Sequence, residues 1–138
     1  MVLLLVGSAM GPALATPRTD VTITAVVVIA METGTFTTTG GVLCPSGTFT
    51  QDFVNPGGRC RSGTGHLVIR TNFVCDGGSS GFTAQLAASV ILGTSSTANW
   101  VIISGFGEFA NLHGAGKLTG VNVAGTVTDT HSGAVHLD

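Results

Sequence analysis

The sequence predicts a single all-β domain of about eight strands, a barrel or a sandwich. Three observations lead there. No window of ten or more residues places apolar side chains at i, i+3, i+4 and i+7 without a glycine break, so helices are not expected. Val, Ile and Thr fill short runs that suit a pleated, half-buried surface. Clusters of Gly, Asn, Asp, Ser and Pro separate those runs at short, regular intervals, as turns between strands require.

The strands follow in order. "VTITAVVVIAM" (21–31) opens with clean alternation, Val21, Ile23 and Ala25 opposite Thr22 and Thr24, and then turns apolar on both faces. "GTFTTTG" (34–40), "SGTFTQDF" (46–53), "GHLVIRTNFVC" (65–75), "GFTAQLAASVIL" (81–92) and "ANWVIIS" (98–104) come next. "GKLTGV" (116–121) and "GTVTDTHSGAVHL" (125–137) complete the set. Strands apolar on both faces need burial on both sides: one face fills a lumen, and the other requires a second layer or a partner subunit. Between 104 and 116 the chain reads "SGFGEFANLHGAG". Gly105 and Gly107 permit positive φ after a strand, "EFANL" (108–112) is long enough for one helical turn, and Phe109 and Leu112 would plug the end of a barrel. These glycines are not a phosphate loop, which needs a βαβ unit and a following helix.

The first residues, "MVLLLVGSAMGPALATP", hold an apolar run from Val2 to Val6 and a small-residue Ala13-Leu14-Ala15 box. Residues 1–15 therefore read as a secretory signal peptide, too short to span a bilayer, and residues 16–138 as one secreted domain with no membrane segment after its removal. Charged residues are only 9% of the chain and the formal net charge is −2. The few cations, Arg18, Arg59, Arg61, Arg70 and Lys117, form no basic patch, which excludes nucleic acid as a partner. So low a charge also points either to self-association, as a dimer or trimer, or to an exterior covered in Thr, Ser and Gly. Three cysteines in an exported chain read as one bridge and one spare thiol. Cys44 and Cys75 each close an apolar run just before a turn, which favours a Cys44–Cys75 disulfide. Cys60 lies between two arginines in "NPGGRCRSGTG", and its pairing with either partner stays open.

The block from Trp100 through Gly105-Phe106-Gly107-Glu108-Phe109-Ala110-Asn111-Leu112-His113-Gly114-Ala115-Gly116 resembles the signature of allene oxide cyclase-like and dirigent-like barrels, notably small secreted actinobacterial proteins. The similarity takes in Gly41–Thr48, Phe73–Thr83 and Thr128–Gly133. Phe106 replaces a usual threonine, and the "CDGGSSG" turn is one residue longer than the pattern. The resemblance implies an eight-stranded antiparallel, calycin-like barrel with an apolar lumen, trimeric in plant members, which steer cyclisation or radical coupling of hydrophobic substrates.

No nucleophile elbow, P-loop, H-E-x-x-H or C-x-x-C is present, and no cofactor or metal is expected. Asp129, His131 and His136 suggest a metal site only superficially, since 131 and 136 fall on opposite faces of a strand; they read as solvated edge residues. The informative positions are polar residues inside apolar strands: Arg70, Asn72, Gln85 and Asp52, together with Trp100 as core anchor or lumen wall. Facing inward, Arg70 would need Asp52 or Asp129 as partner and would mark a ligand site; facing outward, it leaves Leu67, Ile69, Thr71 and Phe73 to fill the barrel. The leading expectation is a barrel that binds a small hydrophobic molecule, as a cyclase or coupling guide acting by conformational restraint. The alternative is a non-catalytic structural or adhesion module with a packed lumen. An immunoglobulin-like carrier apoprotein is disfavoured, because such domains usually carry two disulfides.

Overall fold

Alternation decides which side of each strand is buried, and the same side is buried on every strand. The computed structural model describes residues 17–28, 33–54, 60–61, 64–91 and 93–138; the expected signal peptide lies outside them. The strands are β1 (Thr19–Val28), β2 (Thr33–Thr39), β3 (Ser46–Phe53), β4 (Cys60–Arg61), β5 (Thr64–Cys75), β6 (Gly81–Ile91), β7 (Ser95–Phe106), β8 (Leu112–Val123) and β9 (Thr126–Leu137). All pairings are antiparallel, in the order β3-β2-β1-β9-β8-β7-β6-β5, and β3 bonds back to β5, closing an eight-stranded barrel. β4 is a two-residue addition beside the start of β5, where Cys60 pairs with Gly65; the sequence reading left this piece as loop.

One inward-facing row of paired residues runs from Gly47 through Phe36, Ala25, Asp129, Gly120, Ser96 and Val90 to Gly65. Gly47 itself pairs with Cys75, ten residues beyond Gly65 on β5. That offset is the stagger that tilts the strands and closes the ring.

Large rings fill the upper lumen, and glycines make room for them. Phe36, Phe49, Phe73 and Phe82 are each buried. Phe73 stacks on Phe82 at 4.8 Å and meets Phe36 edge-on at 5.0 Å. A Cβ on Gly47 would lie 2.8 Å from the Phe36 ring, and one on Gly34 2.6 Å from Phe49. Trp100 covers two glycines at once: Cβ atoms on Gly116 and Gly133 would stand 2.7 and 2.6 Å from its Cζ2. Its indole N–H donates to the Lys117 carbonyl at 3.1 Å, so Trp100 is a core anchor.

The segment after β7 forms the upper plug. Gly107 takes φ +62° and opens a 3-10 turn over Gly107–Phe109. Gly105, by contrast, keeps a negative φ; it is glycine because a Cβ there would strike the Phe109 backbone. Phe109 and Leu112 are buried, and Phe109 packs edge-on against Phe82 at 5.9 Å. Cys44 and Cys75 are bridged, with Cα atoms 5.9 Å apart, which ties the β2–β3 connection to the end of β5.

Candidate functional site

The polar residues first singled out lie on the outer wall. Asp52, Arg70 and Gln85 are cross-strand neighbours in one outward row on β3, β5 and β6. Arg70 Nε donates to Gln85 Oε1 at 3.3 Å. Asn72 Nδ2 donates to Asp52 Oδ2 at 2.8 Å, and Thr83 Oγ1 donates to Asn72 Oδ1 at 2.9 Å. Ile69, Thr71 and Phe73 take the inward positions of β5 and are buried, while Leu67 is half-buried. This is the outward arrangement for Arg70, so neither Asp52 nor Asp129 meets it inside the barrel.

The reading of Asp129 and His131 as solvated edge residues is corrected by the structure: both face the lumen, Asp129 at 7% and His131 at 1% exposure. Their strand, "TVTDTHSGAVHL", has few apolar residues to mark a face. Parity resolves it, because Val127, Asp129, His131, Gly133 and Val135 share one side, and Val135 is fully buried. His136 faces the other way. It stacks on His113 at 5.2 Å, and both approach Asp138, His113 Nε2 at 2.8 Å and His136 Nε2 at 3.5 Å. Among the described residues no group of three or more His, Cys, Asp or Glu is arranged to hold a metal ion.

His131 sits between two rings, edge-on to Phe73 at 5.7 Å and to Trp100 at 6.2 Å. Burial pulls its pKa down from 6.5 to about 4, a shift that the adjacent Ile23 backbone partly opposes. Neither ring nitrogen has a hydrogen-bond partner of good geometry, so the imidazole is neutral at physiological pH. Asp129 lies one layer nearer the lower mouth. Burial raises its carboxyl from 3.8 to about 6, and Oδ1 is buried without a partner.

Beside Asp129 the inward row carries small residues: Ala25 on β1, Gly120 on β8 and Ser96 on β7. A Cβ on Gly120 would collide with both Asp129 Oδ1 and Ser96 Oγ, so these two oxygens crowd over the bare Gly120 Cα from either side. Gly120 and Ser96 also line an open recess of about 160 Å³ at the lower mouth, whose other walls include Val90, Ile91, Asn122 and Val127. A second recess of about 170 Å³ shares Val90 and Ser96 with it. The site thus combines apolar walls, the Ser96 hydroxyl beside Gly120, further polar groups from Thr94, Ser95 and Asn122, and a buried carboxyl just behind them. It can bind a small molecule that supplies a hydrogen-bond donor, and it can hold a proton near neutral pH. Sequence reasoning placed Asp129 at a solvated edge or beside an inward Arg70 and did not single out Ser96; the inward parity of Val127 and Val135 was the available signal. Compared with protein-family models, with curated proteins and with solved structures, this chain matches none of them.

Proposed function

We propose that the protein is a secreted β-barrel that binds a small hydrophobic molecule at the lower mouth of its barrel. The observation that carries this reading is the buried Asp129 carboxyl, its Oδ1 without a hydrogen-bond partner, set behind Ser96 and Gly120 at an apolar recess. A buried acceptor without a donor is costly to keep, and a ligand donor would relieve it. The recess is smaller than the roughly 300–1,000 Å³ of common ligand pockets, so it suits a compact molecule or one end of a longer one. Likeness to cyclase and coupling-guide barrels extends the proposal: turnover there would come from conformational restraint of the bound molecule. The Cys44–Cys75 disulfide supports export to an oxidising compartment. Exposed Val26, Val121 and Ile91, in one outward row, support a contact with a second copy.

The aromatic cluster around Phe73 favours a second reading, a structural module whose upper lumen is already full. Benzyl alcohol titrated onto the protein, read by backbone amide shifts, separates the two. Ligand binding requires saturable shifts at Val90, Ser96, Gly120 and Val127 that Val127→Phe abolishes. Unsaturable or scattered shifts leave the structural module.

A further inference from the structure

The lower-mouth site contains a carboxyl and, among the described residues, no cation paired with it. Resting on the ligand-binding reading, the question is which donor completes it. The strand pairing sets these inward residues beside Asp129: Ala25 and Ile23 on β1, Gly120 and Leu118 on β8, Ser96 and Ala98 on β7, and His131 two residues along β9. Only His131 among these titrates besides Asp129, and burial keeps it neutral. Among the described residues no Lys, Arg or His lies within ion-pair distance of Asp129. Among the described residues no group of three or more His, Cys, Asp or Glu could hold a metal ion, and one carboxylate is too little charge for a divalent cation. An ammonium group, in contrast, brings a positive charge and three donors in one compact head.

We infer that the recess takes a small primary amine, its ammonium group donating to Ser96 Oγ and facing the Asp129 carboxylate that lies just behind Gly120, its aliphatic chain lying against Val90, Ile91 and Val127. The amine supplies the counter-charge that the Asp129 carboxylate lacks, which a neutral alcohol of the same shape does not. Because the carboxyl titrates near pH 6, the amine's advantage is greatest above that pH and fades below it, where the carboxyl is already neutral.

The experiment titrates n-hexylammonium and 1-hexanol onto the full chain at pH 7.5 and pH 5, read by amide shifts. At pH 7.5 the amine is expected to bind about tenfold or more tightly than the alcohol. At pH 5 that preference falls by about tenfold, as the ionised fraction of a group titrating near 6 falls. Asp129→Asn abolishes the preference for the amine over the alcohol, and Ser96→Ala weakens the amine several-fold. Equal affinity for the two molecules, or a preference that survives Asp129→Asn, overturns the amine inference and leaves the recess as a site for neutral ligands. Failure of both molecules to shift Val90, Ser96, Gly120 and Val127 overturns the ligand-binding reading along with it. A thermal melt of each variant separates lost binding from lost folding.

Discussion

Two buried ionisable residues pull the stability of this barrel in opposite directions with pH. Asp129, raised from 3.8 to about 6 in the fold, binds its proton more tightly folded than unfolded; its contribution is lost as pH rises from about 4 through 6. His131, lowered from 6.5 to about 4, binds its proton less tightly folded; stability is lost as pH falls from about 6.5 through 4. Each shift corresponds to about 3 kcal/mol at most. The two slopes nearly cancel between pH 4 and 6, and each variant exposes the other residue. Asp129→Asn leaves stability that falls on acidification, and His131→Leu leaves stability that falls as pH rises over the same window. Urea denaturation at a series of pH values checks this, and indistinguishable profiles for the three proteins would refute it. Neither residue's burial was read from the sequence, because a strand written mostly in Thr, Ser, Gly, Asp and His offers almost no contrast between its faces. Where apolar contrast was strong, as in Val21, Ile23 and Ala25 against Thr22 and Thr24, the buried face was read correctly.

At the scale of elements, glycine carries two meanings that composition does not separate. In "CDGGSSG" it marks a turn, and Gly77 and Gly78 do adopt positive φ. In "HGAGKLTG" and "HSGAV" it sits within β8 and β9 instead, where Gly116 and Gly133 admit the Trp100 ring. For this reason β8 begins at Leu112, four residues before its sequence reading, which took Gly114 as part of a loop. An aromatic ring over a strand glycine needs a partner on another strand, and no local pattern reveals that pairing. Gly133→Ala is expected to destabilise the barrel by about 1–3 kcal/mol through overpacking against Trp100 and the Ala115 carbonyl. Ala134→Gly, at the next and outward position, is the control for backbone effects alone. A Gly133→Ala melt no lower than that of Ala134→Gly would show that the ring yields freely.

For the whole molecule, strand number and class were legible, since turn clusters recur at intervals that only short strands fit. Closure was not a matter of local pattern: it depends on β3 meeting β5 and β1 meeting β9, pairings between segments far apart in the chain. The Cys44–Cys75 bridge clamps one end of the β3–β5 seam. Across its sequence separation of 31, it contributes about 3–4 kcal/mol on the chain-entropy estimate. Replacing both cysteines by serine should lower the unfolding free energy by that amount, measured in urea. Amide exchange should also quicken first along Gly47–Phe53; uniform exchange around the ring would contradict the clamp. Because the last strand bonds to the first, each of the eight main strands has a partner on both sides along most of its length, and little backbone is left on which another chain could be templated. A Val- and Thr-rich sequence of this kind, left as an open ribbon, would invite stacking into fibrils. Joined end to end, it meets its neighbours mainly through side chains, and the outward valines of β1 and β8 are where such a meeting would begin.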